Sequence, residues 1–172
     1  MRQDGGMQVD EIQRWGKATF NSPASVDALD ACEARLGHKL PDHLRQLLAE
    51  TNGIEGEYGL GLLSSTERIA EDNTRFRNST DFRRLYMPFE GLVFFADAGN
   101  GDQFALSLSG NHEVYVWNHE DDSRMWVAPT VIRYLEDWMT GTLTVRAAAS
   151  AHLKRGSISA RCRGGQLRTG SV

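Results

Sequence analysis

Apolar residues recur along this chain with two different periods. Over roughly the first eighty positions they fall three or four apart, the spacing that lines one face of a helix. The spacing predicts a first helix through VDEIQRWGKATF, with Val9, Ile12 and Trp15 on one face and Phe20 close by. SPASVDALDACEARLG reads as a second. Ser22 caps it, Pro23 takes the first helical position, Val26, Leu29, Cys32 and Leu36 form the stripe, and Gly37 ends it. A third starts at Pro41 in LPDHLRQLLAETNG, carries Leu44, Leu47 and Leu48, and stops at Asn52-Gly53. The capping box SSTE, Ser64 to Glu67, opens a fourth that runs through Ile69 towards Phe76.

The period then changes. GLVFFAD is a continuous apolar run of strand length. DQFALSL alternates, with Phe104, Leu106 and Leu108 on one face. HEVYVWNH alternates as well, placing Val114 and Val116 opposite Tyr115 and Trp117. TVIRYLEDWM returns to helical spacing, with Thr130 as cap and Ile132, Leu135 and Trp138 as its stripe. Helices, then a meander, then a helix predict an α+β fold: an antiparallel sheet with helices packed on it, in one domain over residues 1–140. From Gly141 the pattern dissolves into small, polar and basic residues, and 141–172 is expected to be a basic, disordered tail.

Composition narrows the class. The chain has 172 residues, 40% hydrophobic and 24% charged, values that suit one ordinary globular domain. No run approaches the roughly 18–20 apolar residues that span a bilayer, so no membrane partner is expected. The first residues, MRQDGGMQVDEIQRW, lack the apolar stretch of a signal peptide. Two distant cysteines, Cys32 and Cys162, form neither a disulfide framework nor a zinc spacing; a reducing cytoplasm is the expected setting. The net charge of −4 hides an asymmetry. Removing the six basic residues that follow Asp137 leaves −10 for the part before them. A body that acidic suits a basic partner and not nucleic acid.

The stretch FFADAGNGDQFAL concentrates the candidate chemistry. Its AGNG loop joins two predicted strands, and glycine and asparagine supply the positive φ of a tight turn. A phosphate site would need a lysine, or a glycine fingerprint opening a helix; GNGDQF has neither. Asp97, Asn100 and Asp102 are oxygen ligands in kind, but the calcium-loop pattern is absent, and the loop reads as a turn. His112 and His119, seven apart on a strand, fall on opposite faces and read as solvated rim residues. His38 and His43 bracket KLPD without a Cys or Glu at ligand spacing. Cys32 lies on an apolar stripe, where an inert thiol is expected. No Gly-x-Ser-x-Gly or His-Glu-x-x-His occurs. The residues therefore offer no enzyme site, no cofactor and no metal.

One feature stands apart. From Leu85 to Ser123 there is no Lys or Arg, while Glu90, Asp97, Asp102, Glu113, Glu120, Asp121 and Asp122 are all present. Such a run is either a solvated face or, with Tyr115, Trp117 and Trp126 interleaved, a surface that recognises a basic protein. On the second reading the partner-binding residues are Asp97, Asp102, Glu113, Tyr115, Trp117, His119, Glu120, Asp121 and Asp122.

Taken in order, ACEARLGHKLPDHLRQLLAETNG, FFADAGNGDQFAL and VYVWNHEDD resemble the SUKH superfamily, the Smi/Knr cell-wall-regulator-like family. Leu40-Pro41 before a helix, Asn52-Gly53 after it, Asp97, Gly99, Gly101 and Asp102 in the hairpin, and Val114, Trp117 and His119 carry the resemblance. It extends from about Val26 to Met139; TRFRNSTDFRRLYMPFE departs most from the pattern, and the tail has no counterpart in it. The resemblance implies an α+β fold and a non-enzymatic role. Bacterial members of the family are typically immunity proteins that bind and neutralise a cognate toxin, often a nuclease; fungal members are regulatory interaction proteins. Three readings follow: an immunity protein binding a basic toxin surface, a regulatory scaffold of the same fold, and a metal-dependent hydrolase using Asp97, Asp102 and His119.

Overall fold

The structure, a computed structural model, describes residues 7–143. Helix α1 (Met7–Ile12) buries Ile12 completely. The helical pattern predicted through Phe20 breaks before Gly16, a residue costing about 1 kcal/mol in a helix. Thr19 and Phe20 instead form β1, paired antiparallel with Glu55 and Ile54.

Helix α2 (Val26–Leu36) begins later than its sequence suggests. Ser25, not Ser22, caps it by accepting from the Ala28 N–H at 3.1 Å. The segment before it is held elsewhere: Ala24 N–H donates to the Leu48 carbonyl at 3.0 Å and Asn52 N–H to the Ser22 carbonyl at 2.9 Å. Val26 consequently faces solvent, 65% exposed, while Leu29, Cys32 and Leu36 are buried and Gly37 closes the helix at φ 78°. Burial first, then the charges of Glu33 and Glu67, push the Cys32 thiol up to about 11, so it is inert. Helix α3 (Asp42–Glu50) starts after Pro41 and buries Leu44, Leu47 and Leu48 completely. Each contributes roughly 1.5–3 kcal/mol of burial.

Strands β2 (Ile54–Glu55) and β3 (Gly61–Leu63) complete a three-stranded sheet in the order β1-β2-β3. They escaped the sequence pattern because two or three residues cannot display a period. Helix α4 (Thr66–Asn78) is capped by Ser65, one residue past the predicted start, because Ser64 N–H is tied to the Phe95 carbonyl at 2.8 Å. A further helix, α5 (Thr80–Leu85), follows at once under a Ser79 cap.

The larger sheet is a meander of β4 (Leu92–Asp97), β5 (Gln103–Ser107), β6 (Val114–Trp117) and β7 (Arg124–Ala128), ordered β4-β5-β6-β7. Helix α6 (Val131–Met139) ends the described elements, its Thr130 cap accepting from Arg133 N–H at 3.1 Å. The uninterrupted apolar run of β4 is explained by cover on both faces. One face, with Val93, Phe104, Val114 and Val116, packs on Tyr134 of α6 and the N-terminal helices. The other, with Phe94, Ala105 and Trp117, packs on Phe76, Phe82, Tyr86 and Phe89. Between the layers, buried Asn73 of α4 imitates a strand: it accepts from Phe94 N–H at 2.9 Å and donates to the Phe94 carbonyl at 2.8 Å.

The architecture is thus α+β, with helices on antiparallel sheets. Leu143 is 2% exposed, so packing continues three residues past the boundary read at 140. The rest of the expected tail, 144–172, lies outside the described residues. Among the described residues, no helix is long and apolar enough to cross a membrane.

Candidate functional site

The pairings Asp97↔Gln103, Gln103↔Trp117 and Trp117↔Arg124 set four residues in one row across the larger sheet. The β4–β5 loop and the β6–β7 loop therefore leave the sheet at the same end. Glycine makes the first loop: Gly99 and Gly101 sit at φ 83° and 98°, where a side chain is strained. The AGNG stretch is a hairpin turn, as read from its chemistry. Asp97 Oδ1 accepts from Gly99 N–H at 2.7 Å, and Asn100 Oδ1 from Asp102 N–H at 3.0 Å.

Asp102 joins the loops. Its Oδ1 accepts from His119 N–H at 3.1 Å and lies 2.8 Å from His119 Nδ1, while Oδ2 accepts from Asn100 Nδ2 at 3.0 Å. At 6% exposure it holds the site together from beneath, which corrects its assignment as a contact residue. His119 is brought to Asp102, not to a metal triad with Asp97; among the described residues no group of three or more His, Cys, Asp or Glu is arranged to hold a metal ion.

The second loop is braced as firmly. Asn118 Oδ1 accepts from Glu120 N–H at 2.8 Å, Asp121 Oδ1 from Ser123 N–H at 2.9 Å, and the His119 carbonyl from Tyr86 O–H at 2.8 Å. Asp122, at φ 59°, accepts from Met87 N–H at 2.7 Å and Trp117 Nε1–H at 2.8 Å. Two expectations fail here for one reason. Trp117 is 2% exposed because its ring completes the aromatic layer beneath α5, and Asp122 is turned inward to satisfy that ring's N–H. Trp117 cannot face a partner, and the Asp122 carboxylate, 15% exposed, is committed to these two donors. Glu120 and Asp121 remain exposed, and hydrogen bonds from the Ser123 hydroxyl and N–H hold the Asp121 carboxyl below its usual range.

The expected site is also split. Leu106↔Val114 lies three residues along from Gln103↔Trp117, about 10 Å of strand. Glu113 thus sits at the far end, with Tyr115 O–H donating to its Oε2 at 3.2 Å. Burial, then the Glu113 charge and hydrogen bond, raise the Tyr115 phenol. Tyr115 and Trp126 pair across β6 and β7, both half-buried.

The sequence reading missed the β2–β3 loop beside this end. Tyr58 stands at its tip, 94% exposed at φ 60°, and the adjacent Leu60 reaches within 3.1 Å of the position a Cβ on Gly99 would take. A polar cleft of about 290 Å³ lies between the smaller sheet, the start of α4 and the ends of β4 and β5, lined by Glu55, Arg68, Asp72, Asp97 and Gln103. Asp72 already accepts from Arg68 at 2.7 Å and Arg75 at 2.8 Å. The glycines of GEYG framing an aromatic were the available signal for this loop. One end of the molecule thus presents Tyr58, Asp97, Glu120 and Asp121 on braced loops, chemistry suited to docking a cationic surface. A family model described as SMI1 / KNR4 family (SUKH-1) matches residues 23–137, a span that contains both hairpin loops. No curated protein matches the chain.

Proposed function

This chain belongs to the SMI1 / KNR4 family (SUKH-1), and from that membership we propose that it is a non-enzymatic immunity protein that binds a cognate toxin. The acidic end of the larger sheet covers a basic surface of that toxin, of the kind a nuclease presents to its substrate. The observation that carries the reading is the pair Glu120 and Asp121, exposed on a loop braced by its own hydrogen bonds and by Tyr86. A surface fixed before binding loses little conformational entropy on docking, so its charges act through steering and complementarity. Tyr58 supplies an exposed aromatic of the type that dominates interface energetics.

The test is co-expression with a toxin domain encoded beside this chain, scored by cell survival and pull-down. Reversing both exposed acids, Glu120→Lys with Asp121→Lys, is expected to weaken association at least tenfold and flatten its dependence on salt. The unfolding midpoint should barely move, since exposed charges contribute little stability. Full protection by this variant with an unchanged salt dependence refutes the acidic-end mechanism. Absence of any protection by the wild-type chain refutes the immunity role itself and favours the regulatory alternative.

A further inference from the structure

Helix α5 and the segment after it form a groove of about 250 Å³ lined by the aromatic residues Phe76, Phe82, Tyr86 and Phe89. The rings fix one another: Phe82 lies 5.3 Å, centroid to centroid, from both Phe76 and Tyr86. Tyr86 O–H and Met87 N–H are bonded to the His119 carbonyl and to Asp122, which ties this wall to the β6–β7 loop. The groove is therefore formed before anything enters it. Its volume falls below the roughly 300–1,000 Å³ of a small-molecule site and suits one bulky side chain. Its mouth is apolar. Met87, part of the lining, is 55% exposed, and nearby Leu85 is 69% exposed. A single exposed apolar residue needs no explanation, but two beside an aromatic groove are of the kind that mark an interaction site. The charge here runs against that of the acidic body. Residues 75–84 hold four arginines and one acid, Asp81. Arg75 is paired with Asp72, and Arg77 is spent on the Leu36 and Leu92 carbonyls. Arg83 uses only its Nε, donating to the Arg77 carbonyl at 2.9 Å, and the Arg84 guanidinium has no ion pair or hydrogen bond among the described residues. Arg77 and Arg83 line the groove against one acid, Glu90.

We propose that this groove docks an acidic segment of a protein partner, which seats one bulky apolar side chain among the rings and sets a carboxylate on the two Nη groups of Arg83. Charge and side-chain type select this occupant over the others. After Asp137 the chain itself carries six basic residues and no acid, so its own C-terminal segment is repelled by Arg83 and Arg84. The acidic β6–β7 loop of a second copy has no bulky apolar side chain to insert, since residues 118–123 read Asn, His, Glu, Asp, Asp, Ser. An anionic membrane would meet Glu90 and the Glu120–Asp121 loop together with the arginines. The surface does not depend on the toxin reading, because it favours the opposite charge.

Panning a random dodecapeptide phage library on the full chain tests the groove. The Glu120→Lys/Asp121→Lys variant is panned alongside, so that peptides drawn by the acidic loop are recognised by their loss. Peptides retained by both proteins are expected to set Leu, Phe, Met or Trp beside Asp or Glu. A synthetic copy of one should bind more weakly as salt rises, and Arg83→Glu should weaken it at least tenfold. Met87→Ser should weaken it as well, and the urea midpoint should hold in both variants because these side chains are exposed. Amide NMR of the wild-type chain removes reliance on the variants: the peptide should shift signals centred on residues 82–90. No enrichment of acidic and apolar residues together, affinity unchanged in Arg83→Glu, or shifts centred elsewhere would overturn the proposal. Binding to phosphatidylserine vesicles that Arg83→Glu abolishes, with no peptide selected, would overturn it in favour of a membrane.

Discussion

Replacing Asp122 separates what the acidic loop does for the fold from what it offers a partner. In Asp122→Ala the Trp117 indole N–H loses its acceptor at 2.8 Å inside a ring that is 2% exposed. Leaving such a donor unpaired costs about 1–3 kcal/mol. The Met87 N–H, also lost as a partner, lies near the surface and can turn to water, so it adds little. Alanine carries the same Cβ that aspartate already holds at φ 59°, so the backbone adds little. Arg124 keeps the Met87 and Pro88 carbonyls at 2.8 and 3.1 Å, so its distant contact with Asp122 at 3.7 Å contributes little. The total is about 1–3 kcal/mol. The alanine variant isolates the hydrogen-bond part; Asp122→Gly leaves the same donor unpaired but relieves the positive-φ strain, so it should be about 1 kcal/mol less damaging. Urea unfolding followed by tryptophan fluorescence measures both. An alanine variant within about 0.5 kcal/mol of wild type would show that Trp117 and Asp122 are not the brace described, and would return Asp122 to the contact surface.

Glu33→Gln should destabilise by about 1–3 kcal/mol, because a side chain that is 4% exposed accepts from Lys39 at 2.6 Å, Leu40 N–H at 3.1 Å and Arg45 at 3.2 Å. Burial alone would raise this carboxyl, but the Lys39 hydrogen bond, the Leu40 N–H and the two cations outweigh it and hold it below the ordinary value. Its contribution is therefore complete above about pH 4.5 and is lost as pH falls through the depressed folded value, so urea midpoints of the two proteins should converge in acid; a gap that stays constant below pH 4 would contradict this. Gly101→Val should cost about 2–4 kcal/mol, since φ is 98° and an added Cβ meets the His119 ring at 3.0 Å, whereas Gly99→Val meets only the tip of Leu60 at 3.1 Å and should cost less. Thermal melts ranking the two variants in the opposite order would refute the account of the loop.

What the sequence made legible follows from how each signal arises. Helix α3 was readable because Leu44, Leu47 and Leu48 repeat on one face and Pro41 marks the entry. β4, β5, β6 and α6 were readable for the same reason, each carrying its own periodicity or cap. Capping serines were misplaced by one to three residues because Ser22, Ser25, Ser64 and Ser65 are chemically equal in sequence; only tertiary hydrogen bonds to Asn52 and Phe95 decide which carbonyl and amide are free. β7 was missed because Arg124 to Ala128 alternates weakly at an edge, where partial burial suffices. The candidate site was legible as a composition, but not as a surface. Trp117 and Asp122 are both plausible contacts in sequence, but the ring of Trp117 is buried and its N–H claims the Asp122 carboxylate.

That distinction changes how the acidic segment acts. Glu113 and the Glu120–Asp121 pair belong to one lysine-free stretch, yet the sheet separates their ends by at least about 10 Å of strand. Charges are screened beyond about 8 Å at physiological ionic strength, so the segment cannot behave as one continuous negative field at a docked interface. Two local centres remain. One is Glu113 with Tyr115, whose phenol is already hydrogen-bonded to that carboxylate. The other is the loop end of the sheet, where Glu120 and Asp121 are exposed on the braced β6–β7 loop and Asp97 lines a polar cleft beside the β2–β3 loop that carries Tyr58. Under the proposed function the second is the better docking centre, because Glu120 and Asp121 are exposed on a loop already fixed by its own hydrogen bonds. A partner that recognises this protein by charge is therefore best placed to approach along the sheet axis, onto the hairpin loops, and not across the flat of the strands.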